Sequence, residues 1–279
     1  MKSKWYTKSY IAMIMAFLYM PIMVLIVYSF NDSKSRSVWS GFSLKWYKAL
    51  FADELILSSL ANTMIIALVA SVLATVLGTA AAMGIYAIKR KWFRSAIMNI
   101  TYMPILNPEI VTGVSLLLLF VFMNEQLGLP IELGLVTLII AHVTFCTPYV
   151  ILNVLPKLRQ LDKFAYEAAM DLGCSPTMAF FKVIIPEIMP GIITGFLMAV
   201  TYSIDDFIIS YFVSSAGSQT LPVTIGAMVR KRISPKINAL SAIIFVVVLS
   251  ALLLVNFMGA RKERRELKHR QSRGGGSVL

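Results

Sequence analysis

Glu167-Ala168-Ala169-Met170-Asp171-Leu172-Gly173, followed after nine residues by Val183-Ile184-Ile185-Pro186, is the stretch whose reading decides the fold. It lies in a polar gap between two long apolar runs. Asp162 can accept hydrogen bonds from the first free backbone N–H groups of a helix, which predicts one over Lys163–Leu172. Gly173 tolerates the left-handed backbone that ends such a helix. Ser175-Pro176 then supplies an N-cap and a proline at the first helical position of a second helix. Ala168 and Ala169 leave a surface bare enough for another protein's backbone to approach closely. The segment reads as a helix-turn-helix connector offered to a partner.

Working outward, the flanking sequence belongs in a membrane. The chain has 279 residues, 58% hydrophobic and 14% charged, with a mean hydropathy of +0.75, well outside the soluble norm. Six apolar runs are long enough to cross roughly 30 Å of hydrocarbon. They cover Ser9–Ser29, Ser58–Ile88, Ser95–Met123, Leu133–Leu155, Ile188–Val213 and Ile237–Ala260. The fold class predicted is therefore all-α, a polytopic bundle of six transmembrane helices in one domain over 1–279.

Six spans place both termini on one side. Of the 26 Lys and Arg, eighteen lie before the first span, in Lys89–Arg94, in Lys157–Lys182 and after Ala260, while eight lie in the alternate loops. The positive-inside bias puts both termini and the 157–186 loop in the cytoplasm. It also accounts for the net charge of +12 without a nucleic acid, because short basic flanks meet anionic headgroups. The basic 261–279 tail reads as a flexible extension. The first run lacks a small-residue cleavage site and is expected to be retained.

Several function classes are excluded. The chain contains no G-x-x-x-x-G-K-[ST] loop, so it does not cradle nucleotide phosphates by itself. No His and Cys set has metal-ligand spacing, and no catalytic residue set emerges. Cys146 falls in the fourth run and Cys174 in the cytoplasmic loop, too far apart in context for a disulfide. His142 is expected to be a hydrogen-bonded packing or pore residue. No cofactor is expected on this chain, and any energy for transport must come from a partner.

The charged residues inside the apolar runs are few. The third run holds Glu109, and the fifth holds Asp205 and Asp206. A lone carboxylate in hydrocarbon costs roughly 2.5–3.5 kcal/mol on insertion scales, so each must face a partner or a pathway. Glu109 stands roughly 21 Å of helix from the cytoplasmic end of its run, and the aspartates about 27 Å from theirs. Adjacent acids on a helix diverge by about 100°, so one of the pair can face a path while the other pairs with a neighbouring helix. Met103-Pro104-Ile105-Leu106-Asn107-Pro108-Glu109 carries two prolines four apart, which should bend the third span and line a cavity. Gly191-Ile192-Ile193-Thr194-Gly195, and Gly78, Ala80, Ala82 and Gly84, supply small residues for close helix packing.

The E-A-A-x3-G-x9-[IV]-x-[IL]-P pattern of the 157–186 loop resembles the coupling loop of ATP-binding-cassette (ABC) importer permeases. Over nearly the whole chain the resemblance extends to spermidine/putrescine permeases, through Pro108-Glu109-Ile110-Val111, His142 to Tyr149, Tyr202-Ser203-Ile204-Asp205-Asp206-Phe207 and Ser234 to Ala239. It implies a type I ABC importer permease fold in a bacterial plasma membrane. Glu167, Ala168, Ala169, Gly173 and Pro186 would couple to an ATPase subunit, and Asp205, Asp206, Glu109 and Tyr202 would line the substrate path. The implied partners are a related permease (PotB-like), two copies of an ABC ATPase (PotA-like) carrying ATP and magnesium, and an extracytoplasmic polyamine-binding protein (PotD-like). Related permeases for ferric ion or thiamine carry acids at similar places. A self-sufficient secondary cation transporter or channel is the alternative from another class.

The outer loop Ser214–Lys236 breaks the charge rule with Arg230, Lys231, Arg232 and Lys236. Leu221, Ile225, Met228 and Val229 recur at helical spacing and predict a short amphipathic helix there. Arg230, Lys231 and Arg232 at its end are expected to help dock the binding protein.

Overall fold

The computed structural model describes residues 3–33, 38–231 and 235–250. Among these the chain is helical, with no strand beyond one isolated bridge between Asn31 and Phe42. Contacts divide it into two compact units, Met1–Asp53 with Met228–Leu279, and Glu54–Ala227.

In the first unit, α1 (Ser3–Ser29) runs into a folded loop and α2 (Lys45–Phe51). Asn31 organises this loop. Its amide donates to the Val38 carbonyl at 2.8 Å, its side-chain oxygen accepts from Ser40 N–H at 2.9 Å, and its own carbonyl accepts from Trp46 Nε1 at 2.7 Å. Lys45 pairs with Asp32 at 2.9 Å and holds that carboxyl below its usual range. The last described helix, α12 (Pro235–Ser250), carries Lys236, which meets Asp53 at 3.0 Å. The end of the sixth run, 251–260, and the tail 261–279 lie outside the described residues.

The second unit is built on three long helices: α3 (Glu54–Ala87), α6 (Leu135–Gln160) and α9 (Ile185–Asp205). They close because small residues meet. A Cβ on Gly78 would stand 2.7 Å from Val150 Cβ, and one on Gly195 would stand 3.1 Å from Val150 Cα. Gly191 lies equally close to Asn153. Such contacts replace the hydrophobic drive that lipid cannot supply. Ala82 joins this face, whereas Ala80 and Gly84 turn away and are exposed. Helical spacing separates the two pairs, so only one of them can share a face with Gly78. Thr75, Thr147 and Thr201 donate to carbonyls four residues back within their own helices.

Two breaks interrupt the spans. The run expected over Ser95–Met123 is a pair, α4 (Lys91–Leu106) and α5 (Glu109–Glu125), bent by 102° at Asn107-Pro108. The fifth run ends as a helix at Asp205 and resumes as α10 (Ile208–Val213). Among the described residues four helices are long and apolar enough to cross a membrane, or five if the bent pair is one span. The sixth expected run, Ile237–Ala260, is described only as far as residue 250.

Between α6 and α9 lie α7 (Lys163–Asp171), α8 (Pro176–Ala179) and a π-helical turn at Phe180–Ile184. From Pro176 to Asp205 the chain forms one continuous helical rod of 30 residues. The outer helix predicted from its spacing is α11 (Leu221–Lys231), but its buried face differs from the predicted stripe. Leu221, Val223 and Thr224 are buried, Ile225 and Met228 are half-buried, and Val229 is exposed. The reason is polar: Thr63 Oγ1 accepts from Leu221 N–H at 2.8 Å and Ser59 bonds Thr224 at 2.7 Å, which turns that face onto α3.

Candidate functional site

Both breaks open onto one cleft of about 340 Å³ in the second unit. The α4–α5 bend sets Pro104 and Glu109 on its wall, with Glu109 in the first turn of α5, where the helix dipole favours a carboxylate. From α6 come Phe145 and Tyr149, one turn apart, and from the last turn of α9 come Tyr202 and Asp205. The Tyr149 and Tyr202 rings stack at 4.2 Å between centroids. Asp205 and Glu109 are exposed to the cleft, and Phe207, just past the second break, closes one side.

The two adjacent aspartates have different surroundings. Asp206 is buried, and its carboxylate accepts from Ile209 N–H at 3.2 Å and Ser210 N–H at 2.7 Å, capping α10. His142 is wholly buried beside it, bonded to Ser203 Oγ at 2.7 Å and Ser210 Oγ at 3.1 Å. Of the expected path residues, the structure brings Glu109, Tyr202 and Asp205 to the open face of the cleft and leaves Asp206 at its rear. Sequence reading missed Phe145, Tyr149 and Phe207 as wall residues. The i, i+4 spacing of Phe145 and Tyr149 marks a shared face, but only the α6–α9 approach shows that this face meets Tyr202. Among the described residues no group of His, Cys, Asp or Glu is gathered for a metal.

The 157–186 loop has the predicted local structure. Asp162 Oδ1 accepts from Phe164 N–H at 2.9 Å, so α7 is capped at its start. Gly173 has φ +86°, with Cys174 N–H bonded to the Ala169 carbonyl and Gly173 N–H to the Met170 carbonyl. That pair of bonds ends the helix at Asp171, one residue before the predicted Leu172. Ser175 Oγ accepts from Met178 N–H at 3.3 Å, and Pro176 opens α8. Glu167, Ala168 and Pro186 are exposed, Ala169 is half-buried, and Phe164 and Leu172 project at 77% and 87% exposure. Of the basic outer cluster, Arg230 is exposed at the end of α11. The Lys231 side chain and Arg232 lie outside the described residues.

A membrane bundle with a broken-helix cleft and a capped helix-turn-helix loop is the architecture of a transporter's membrane subunit. Residues 74–267 match the binding-protein-dependent transport system inner membrane components, and the chain belongs to that family. It is therefore a non-catalytic inner-membrane component of such a system. The chain is 40% identical over 252 residues to the putrescine transport system permease protein PotI of Escherichia coli, covering 90% of each protein. It is 34% identical over 246 residues to the spermidine/putrescine permease PotC of Haemophilus influenzae, covering 88% of this chain and 93% of that one. Its fold is similar to a bacterial ABC transporter that imports the acidic polysaccharide alginate, with a TM-score of 0.68 at 15% identity, covering 91% and 94% of the two chains. A bacterial alginate ABC transporter in complex with an alginate pentasaccharide-bound periplasmic protein gives 0.70 at 18% identity, covering 92% and 93%.

Proposed function

We propose that this chain forms half of the translocation path of an ATP-driven polyamine importer and transmits ATPase motion to it. The observation that carries this reading is the cleft in which Asp205 and Glu109 share a wall with the stacked Tyr149 and Tyr202. Polyamines are flexible polycations at neutral pH. Carboxylates on a cleft wall attract ammonium groups, and aromatic faces add cation–π attraction of about 0.5–2 kcal/mol each. The relatives in putrescine and spermidine/putrescine systems support the same cargo class, and 40% against 34–35% identity favours putrescine. Asp205 is the aspartate that meets cargo, while Asp206 supports it from behind.

Coupling follows from the rod. α7, carrying Glu167, Ala168 and Ala169, and α8, with Gly173 between the two helices and Pro186 beyond, dock on an ABC ATPase. The continuous run Pro176–Asp205 carries any tilt of that end to Tyr202 and Asp205 at the other. The assembly comprises this chain, a PotB-like permease, two PotA-like ATPase subunits holding ATP and magnesium, and a PotD-like binding protein. Both termini and the docking loop face the cytoplasm, and the Arg230–Arg232 segment faces the binding protein.

The test is ATPase stimulation in the reconstituted complex with its binding protein. Putrescine and spermidine should raise the rate, and thiamine and ferric ion should not. Stimulation by either of the latter alone would reassign the cargo.

A further inference from the structure

The break between α9 and α10 is held by more than its cap. In a membrane interior a broken helix must recover its lost backbone bonds, and the Asp206 carboxylate alone does that for the Ile209 and Ser210 N–H groups. His142 is not needed for that purpose, yet it is wholly buried at this point on α6. Its Nδ1 lies 2.7 Å from Ser203 Oγ in the last turn of α9, and its Nε2 lies 3.1 Å from Ser210 Oγ in the first turn of α10. Asp206 Oδ2 stands 3.6 Å from the same Nε2. With the proton on Nε2, the ring donates toward Ser210 and Asp206 while Nδ1 accepts from the Ser203 hydroxyl. Phe145, itself on the cleft wall, packs edge-on against the ring at 5.2 Å.

One imidazole thus ties both sides of a two-residue hinge to a third helix. The residues whose direction depends on that hinge are Tyr202 and Asp205 before it and Phe207 within it, all on the cleft wall. We infer that His142 is a positioning residue for cargo selection: through Ser203 and Ser210 it fixes the α9–α10 angle that keeps Asp205 facing the cleft. The inference rests on the reading of the cleft as the cargo path, but the strut itself can be tested without cargo.

The test uses the full transporter complex in membranes, with Cys174→Ser to remove the accessible native thiol. Asp205→Cys should react with a trimethylammonium methanethiosulfonate reagent. His142→Phe keeps a ring but no hydrogen bonds and should slow that labelling about tenfold, whereas His142→Gln, able to donate and accept, should come within about threefold of the parent. Equal labelling in the phenylalanine background overturns the strut, whatever the cargo proves to be. In uptake, His142→Phe should raise KM for putrescine about tenfold and leave the maximal rate within about twofold, with no further rise when Asp205→Asn is already present. Additive KM effects, or a lower maximal rate at unchanged KM, would assign His142 to packing alone. Should the phenylalanine variant not reach the membrane, Ser203→Ala and Ser210→Ala each remove one tie and carry the same two readouts. A parent complex that fails to move any polyamine would refute the cargo reading, and the labelling comparison would still decide the strut.

Discussion

At the scale of single residues, neighbours in sequence do unlike work. Asp205 and Asp206 differ by one position on a helix, yet one opens to the cleft and the other caps α10 from a buried site. Asp205→Asn keeps the shape and removes the charge. It should raise KM for putrescine by about tenfold, the loss of one charge-assisted contact, with normal amounts of protein in the membrane. Unchanged uptake kinetics would remove Asp205 from the path. Asp206→Ala should act on stability instead, losing a cap worth about 0.5–2 kcal/mol and lowering the melting temperature of the purified complex. A normal melting curve for that variant would contradict the capping role.

At the scale of elements, helix ends and close approaches set the behaviour. Gly173 at φ +86° ends α7 and aims α8. Gly173→Val forces a β-branched residue into a conformation costing roughly 1–2 kcal/mol, so α7 should be misdirected. ATP-driven uptake should then fall to near zero while substrate still binds the extracytoplasmic protein. Normal uptake at normal expression would show that this turn does not couple. In the bundle, Gly195 packs on Val150 with no space for a side chain. Gly195→Leu should separate α6 from α9 at a cost of about 1–3 kcal/mol or more, read as loss of the folded protein in detergent. The element ends were largely legible beforehand: Asp162, Gly173 and Ser175-Pro176 act locally, so their spacing is enough to place α7 and α8.

At the scale of the whole molecule, the proposed function sets separate partners on the two faces of the membrane. If Arg230 contributes to docking, Arg230→Glu should weaken association with the binding protein at low salt. The effect should shrink as ionic strength rises toward about 0.15 M, where the Debye length is about 8 Å. An affinity indifferent to charge reversal at low salt would leave this outer helix out of the interface. The rod from Pro176 to Asp205 makes the end of the 157–186 loop and the cleft wall parts of one element. Cargo affinity and ATPase coupling should therefore respond together to changes along it.

What the sequence determined by itself is what depends on local physics or on solvent. Apolar runs too long for a soluble core demand a membrane, and caps and glycines place helix ends. The two prolines around Asn107 likewise announced a bend, because a missing N–H is a property of the residue. Only the tertiary structure decided which side chains share the cleft and which of two acids faces it. That Tyr149 stacks on Tyr202, that His142 reaches Ser203 and Ser210, and that Gly78 rather than Gly84 meets α6 all depend on how three helices cross. Crossing angles and rotations come from the mutual fit of surfaces distant in sequence, and no local pattern encodes them.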